Sequence, residues 1–89
     1  MIKYKTFSKK YDAIATSWSW ISGFNITVPS GYSILGIIAF DTGSSAIMAG
    51  KVNPYNGGAM NYYNAGTAVN VSASITVAFI QSELISSLS

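Results

Sequence analysis

Asp12, Asp41 and Glu83 are the only acids of an 89-residue chain that has no histidine and no cysteine. Without imidazole or thiol, the common zinc, thiol and Ser-His-Asp sites have no residues to build them. A glycosidase needs two carboxyl groups held at a set separation. Three scattered acids can supply a pair, but turn and surface roles explain them as well. Asp41-Thr42-Gly43-Ser44 offers oxygens to calcium. One carboxylate is thin for that ion, and an Asx-type turn is the expectation. Gly57-Gly58 lacks both the strand-to-helix context and the lysine of a phosphate loop. No catalytic residue, metal or cofactor is therefore expected.

Two clusters remain. Trp18 and Trp20 share one face of an extended segment and, with Phe24, suit a core or a subunit interface, with a ligand role for the two indoles as the lesser alternative. The second cluster is Tyr55, Asn56, Asn61, Tyr62, Tyr63 and Asn64. Tyrosine brings a flat apolar ring with a hydroxyl, and asparagine brings both donor and acceptor. That chemistry suits sugar hydroxyls, and it suits protein contacts equally. Elsewhere the turns are built from Ser, Thr and Gly, which give little area to hold a ligand. Any ligand contact is accordingly expected between Asn53 and Asn64, on loops that a rigid scaffold holds in place.

Charged residues make up 9% of the chain while 49% is hydrophobic, against a charged fraction of roughly 25% in ordinary soluble domains. Such a surface is poorly protected as a free monomer, so contact with other subunits is expected. All five basic residues are lysine, and Lys3, Lys5, Lys9 and Lys10 crowd one end. A basic end without arginine argues against nucleic-acid recognition. After Met1-Ile2-Lys3 no apolar stretch suggests a secretory signal, and no window reaches the length of a membrane helix.

The elements that must position these groups read as strands. Ile2 to Phe7 alternates as a lysine-guarded edge strand, broken at Ser8-Lys9-Lys10. Tyr11 to Thr16 is ambiguous, with extended structure favoured. Trp18 to Val28 alternates with a bulge or turn at Ser22-Gly23. Pro29 stops that ladder and Ser30-Gly31 turns the chain. Ile34 to Phe40 is apolar except at Gly36 and predicts a central strand covered on both faces. Ala46 to Val52 and Ala59 to Tyr63 are short strands flanking the turn Asn53-Pro54-Tyr55-Asn56-Gly57-Gly58. Asn64-Ala65-Gly66-Thr67 turns again. Val69 to Phe79 alternates most cleanly, with Val69, Val71, Ala73, Ile75, Val77 and Phe79 inward. Residues 81–89 are a candidate docking tail carrying Leu84, Ile85 and Leu88. The pattern predicts one all-β domain over residues 1–89, an antiparallel jelly-roll-like β-sandwich of about six or seven short strands. Its core is expected to contain Ile26, Val28, Leu35, Ile37, Val71, Ile75, Val77 and Phe79.

The string Ile-Thr-Val-Pro-Ser-Gly-Tyr-Ser-Ile-Leu-Gly-Ile-Ile starts at Ile26. A Gly/Ser turn, a polar middle and a closing Ile-Thr-Val-Ala-Phe-Ile follow it. Together they resemble small β-sandwich domains of bacteriophage virion appendages, found at the tips of tail fibres and receptor-binding proteins. The likeness runs from Gly23 to Ile80. It implies a homotrimer, a virion location, other virion proteins as neighbours and no catalysis. The Asn/Tyr-rich middle departs from a plain structural module and leaves room for a host-surface, glycan-binding role. The rival expectation is a purely structural virion protein, such as a capsid decoration or head-fibre module. A small secreted glycosidase or lectin fits least, with so few acids and no signal.

Overall fold

The structure is a computed structural model that describes residues 1–12, 18–64 and 70–84. Six strands run in the order β1 (Ile2–Tyr11), β2 (Trp18–Ser22), β3 (Tyr32–Asp41), β4 (Ile47–Asn53), β5 (Ala59–Asn64) and β6 (Val71–Gln81). They form two three-stranded antiparallel sheets, β1-β6-β3 and β2-β5-β4. First pairs with last and second with second-last, the nested winding of a jelly roll with fewer strands than usual. The expected all-β sandwich is thus what the chain forms. Three of its strands are long, at 10, 10 and 11 residues.

The core lies between the sheets. Phe7, Ile21, Ile47, Met60, Tyr62, Ala73, Ile75, Val77 and Phe79 meet there. The clean alternation of β6 is the reason it sits in the middle of its sheet, with Met60 of β5 opposite in the other sheet's middle strand. Ile75, Val77, Phe79 and Met60 are all 0% exposed. Val71 and Ile26 belong to the same cluster. Val69, Ala13 to Thr16, Ala65 to Thr67, Ile85 and Leu88 fall outside the described residues. Residues 82–84 of the candidate tail are helical.

Several expectations are corrected. The apolar run in β3 is not a central strand, because β6 takes that place and β3 is an edge. Nor does either parity of β3 face the core. The ladder slips between Ile34 and Gly36 and again between Ile37 and Ala39. Leu35 and Ile38 are the extra residues of two bulges. The slips reset the alternation, so Ile34, Ile37 and Phe40 lie opposite Phe79, Val77 and Ile75 of the core face. Ile34 and Ile37 pack on the core, whereas Leu35, expected inside, is 52% exposed and Ile38 57%.

Ile26 to Val28 forms no strand in either sheet. Asn25 takes φ 58°, which breaks extended pairing. The Ile26 amide instead donates to the Gly57 carbonyl at 3.0 Å, laying this segment against the β4–β5 turn. Phe24 and Ile26 are buried by that route, but Val28 stays exposed, contrary to its expected core position. Phe24 belongs to the domain's own core and is not a free interface residue.

β1 does not break at Ser8-Lys9-Lys10 but continues to Tyr11, because β6 offers an unbroken ladder as far as Val71. Its register places Lys3, Lys5 and Lys9 opposite Phe79, Val77 and Ala73, on the inward parity of an edge strand. Their stems cover the seam: Lys3 Nζ lies 4.6 Å from the Tyr32 ring and Lys5 Nζ 5.1 Å from that of Phe7. Inward-pointing charge on an edge discourages a foreign strand from adding there.

The turns follow their residues. Tyr55-Asn56-Gly57-Gly58 closes with Gly58 N donating to Tyr55 O at 3.1 Å, and φ is positive at both Asn56 and Gly57. This is the primed turn that Asn-Gly favours. Asp41 Oδ1 accepts from the Gly43 amide at 2.8 Å, the Asx turn expected of that stretch. Gly43 has φ 90°, and a Cβ there would sit 2.5 Å from the Ser72 carbonyl oxygen. Gly43→Ala should therefore cost about 2–3 kcal/mol. A thermal melt should drop by at least ~8 °C, and an unchanged melt would remove this account of the turn.

Tyr11 ties β1 to the same turn. Its hydroxyl donates to the Thr42 carbonyl at 2.9 Å, and its ring meets Tyr62 edge-on with centroids 5.0 Å apart. Burial, with a smaller contribution from Tyr62, raises the Tyr11 phenol above its ordinary value of 10.0. Folding thus favours the protonated phenol. That contribution is complete below pH 10 and is lost as pH rises through the folded value. The denaturation midpoint should fall above pH 10, and Tyr11→Phe should flatten this fall. An equal fall in the variant would place the effect elsewhere.

Candidate functional site

Strand parity divides the tyrosine-asparagine cluster. Along β5, Met60, Tyr62 and Asn64 point into the sandwich, while Asn61 and Tyr63 lie on the outer face. Tyr62 is 3% exposed and Asn64 0%. Both are core residues, so neither can be the surface contact expected of it. Tyr55 and Asn56 remain exposed at the tip of the β4–β5 turn, where Asn53 Oδ1 accepts from the Tyr55 amide at 2.8 Å. The six residues therefore do not converge.

What does converge is the outer face of the β2-β5-β4 sheet. Trp18 pairs across with Tyr63, and Tyr63 with Met48. Trp20 pairs with Asn61, which lies opposite the Gly50-Lys51 irregularity of β4. Two rows of side chains thus cross three strands, spaced by about 4.8 Å between strands and about 7 Å along them. Trp18, Trp20 and Met48 are 54%, 58% and 55% exposed. The Trp18 and Tyr63 rings lie 5.5 Å apart, inclined at 45°.

Gly50 makes the floor. A Cβ there would stand 2.9 Å from Trp18 Cζ3 and 2.7 Å from Asn61 Oδ1. The indole and the amide therefore rest on bare backbone. The Asn61 amide also donates from Nδ2 to the Ser19 carbonyl at 3.2 Å. One indole and one amide are thereby fixed by the sheet itself. Sequence reading joined Trp18 with Trp20 but missed Met48 and Gly50, whose place depends on the β4 irregularity.

A second exposed surface lies on the sheet edge. Leu35, Ile38 and Phe40 are each more than half exposed. Ile37, Ile38, Ala39 and Phe40 of β3 line an open groove with Gly50 and Val52 of β4. No acid or base occurs from Tyr32 to Phe40.

Two of the three carboxylates serve the backbone. Asp41 closes its turn, and Asp12 Oδ1 accepts from the Asn70 amide at 3.3 Å. Glu83 lies past Gln81, which pairs with Tyr32 at the opposite end of β3 from Asp41. Among the described residues no three metal-ligating side chains come together. Among them, too, no helix is long and apolar enough to cross a membrane. No protein-family model, curated protein or solved structure matches this chain.

Proposed function

We propose that the chain is a non-enzymatic domain of a bacteriophage virion appendage, of the tail-fibre or receptor-binding-tip kind. It works by contact: copies associate as a homotrimer and present a surface to the host cell. The observation that carries this reading is the unequal treatment of the two outer edges of the β1-β6-β3 sheet. β1 is guarded by inward lysines, whereas β3 carries no charge from Tyr32 to Phe40 and exposes Leu35, Ile38 and Phe40 there. An unguarded apolar edge invites association unless it is covered. Further copies of the same chain fit it best, because the edge is apolar and offers no charge for a charged partner to match. The two bulges interrupt the β3 ladder, so side-chain packing about an axis suits this edge better than strand addition.

Antibodies raised against the purified chain test the assignment. They should label appendage tips on virions in electron micrographs and block adsorption to cells. Labelling spread over the capsid would favour a decoration protein, and virions without label would end the virion reading.

A further inference from the structure

The outer face of the β2-β5-β4 sheet adjoins the β3 edge at Gly50, which borders the β3 groove, while Trp18 and Trp20 stand on β2, the far strand of that sheet. We infer that this face, built from Trp18, Trp20, Asn61, Tyr63 and Gly50, is a saccharide-binding platform that stacks pyranose rings of a cell-surface glycan. The inference rests on the adhesion reading and names the ligand class of that contact.

The chemistry of the face selects the ligand. An indole presents a flat, electron-rich surface, which suits the axial C–H face of a sugar ring. Two indoles on alternate residues of one strand stand about 7 Å apart, close enough to address neighbouring rings of one chain. A sugar also needs polar partners at its rim. Asn61 uses one N–H on Ser19, which leaves its second N–H and its carbonyl oxygen with bonding capacity. Tyr63 brings a hydroxyl beside the Trp18 ring.

The face holds no carboxylate, so it has nothing to attract a basic peptide or hold a cation. Its only formal charge is Lys51, in the β4 irregularity. Preorganisation also points to a ligand. Gly50 lets the Trp18 indole and the Asn61 amide rest on backbone, where less side-chain freedom is lost on binding. One platform of this size binds weakly, and three on one assembly add through effective concentration.

Gly50 also supplies a test that spares the core. It lies on the outer face and its φ is not positive, so alanine meets no backbone strain. The added methyl must displace the indole and the amide. Trp18 and Trp20 are the only tryptophans, so selectively excited tryptophan fluorescence reports on this face alone. The intact chain is titrated with maltohexaose, cellohexaose and the hexamer of N-acetylglucosamine. At least one should give a saturable change. Trp20→Ala should weaken that binding tenfold or more, and Gly50→Ala several-fold with an unchanged circular dichroism spectrum. No saturable change with any of the three hexamers overturns the saccharide assignment, as does full affinity in both variants. Acrylamide quenching of the assembled protein adds a second readout. Indoles shielded from quencher would place the face between copies and overturn the inference. Neither failure touches the antibody labelling of virions, so it can be told apart from failure of the appendage reading.

Discussion

Tyr62→Ala should unfold the domain, while Tyr63→Ala, one residue along, should leave it folded. Tyr62 is 3% exposed, belongs to the core cluster and meets the Tyr11 ring. Removing a buried aromatic side chain costs about 3–5 kcal/mol. A small domain has about 5–15 kcal/mol in total, and one this short stands near the lower end. The remaining hydroxyl of Tyr11 would also border a cavity. Thermal melting should fall by more than about 15 °C, or cooperative unfolding should vanish. Tyr63 is half-buried on the outer face, where its ring contact is with Trp18. That contact is worth about 1 kcal/mol. Tyr63→Ala proving the more destabilising of the two would mean that β5 has the opposite parity, and the outer platform would dissolve with it.

The second large effect is expected on β3. Leu35→Asp and Ile38→Asp should each yield a folded monomer, whereas Ile37→Asp should fail to fold. Leu35 and Ile38 are bulge residues more than half exposed, so a carboxylate there stays in water. Such surface changes alter stability by about 0.5 kcal/mol. In the assembly, like charges would meet around the axis, and each should cost several kcal/mol, or about 100-fold or more in association. Ile37 packs against the core, where an unpaired charge is far more costly. Circular dichroism with gel filtration separates these results. Unfolded Leu35→Asp would make that side chain part of a core.

The architecture was legible where local pattern and long-range pairing agree. Val71 to Phe79 alternates without interruption, and it became the strand around which the first sheet is built. Asn56-Gly57 marked its turn because few other dipeptides accept positive φ at both positions. The failures have physical causes. An apolar run such as Ile34 to Phe40 carries no sign of where a bulge will fall, and two bulges moved Leu35 out of the core. Ile26 was expected in a strand because its neighbours alternate, yet its burial comes from a contact with Gly57 some thirty residues later. β1 outlasted the local break at Ser8-Lys9-Lys10 because its partner was long enough to hold it.

The candidate site was half legible for a related reason. Closeness in sequence suggested that Tyr62, Tyr63 and Asn64 act together, but a strand sends successive side chains to opposite faces. Asn61 and Tyr63 joined Trp18 and Trp20 only through cross-strand pairing. Gly50 gave no sign of its role, since the neighbour it accommodates lies on another strand.

Sedimentation equilibrium of the unaltered chain at micromolar concentration bears most directly on the idea of a contact protein closed through β3. The mass should correspond to three chains of 9.4 kDa and stay constant as the protein is diluted through that range. A stable monomer would contradict it, because the apolar edge at Leu35, Ile38 and Phe40 would then stand open in water.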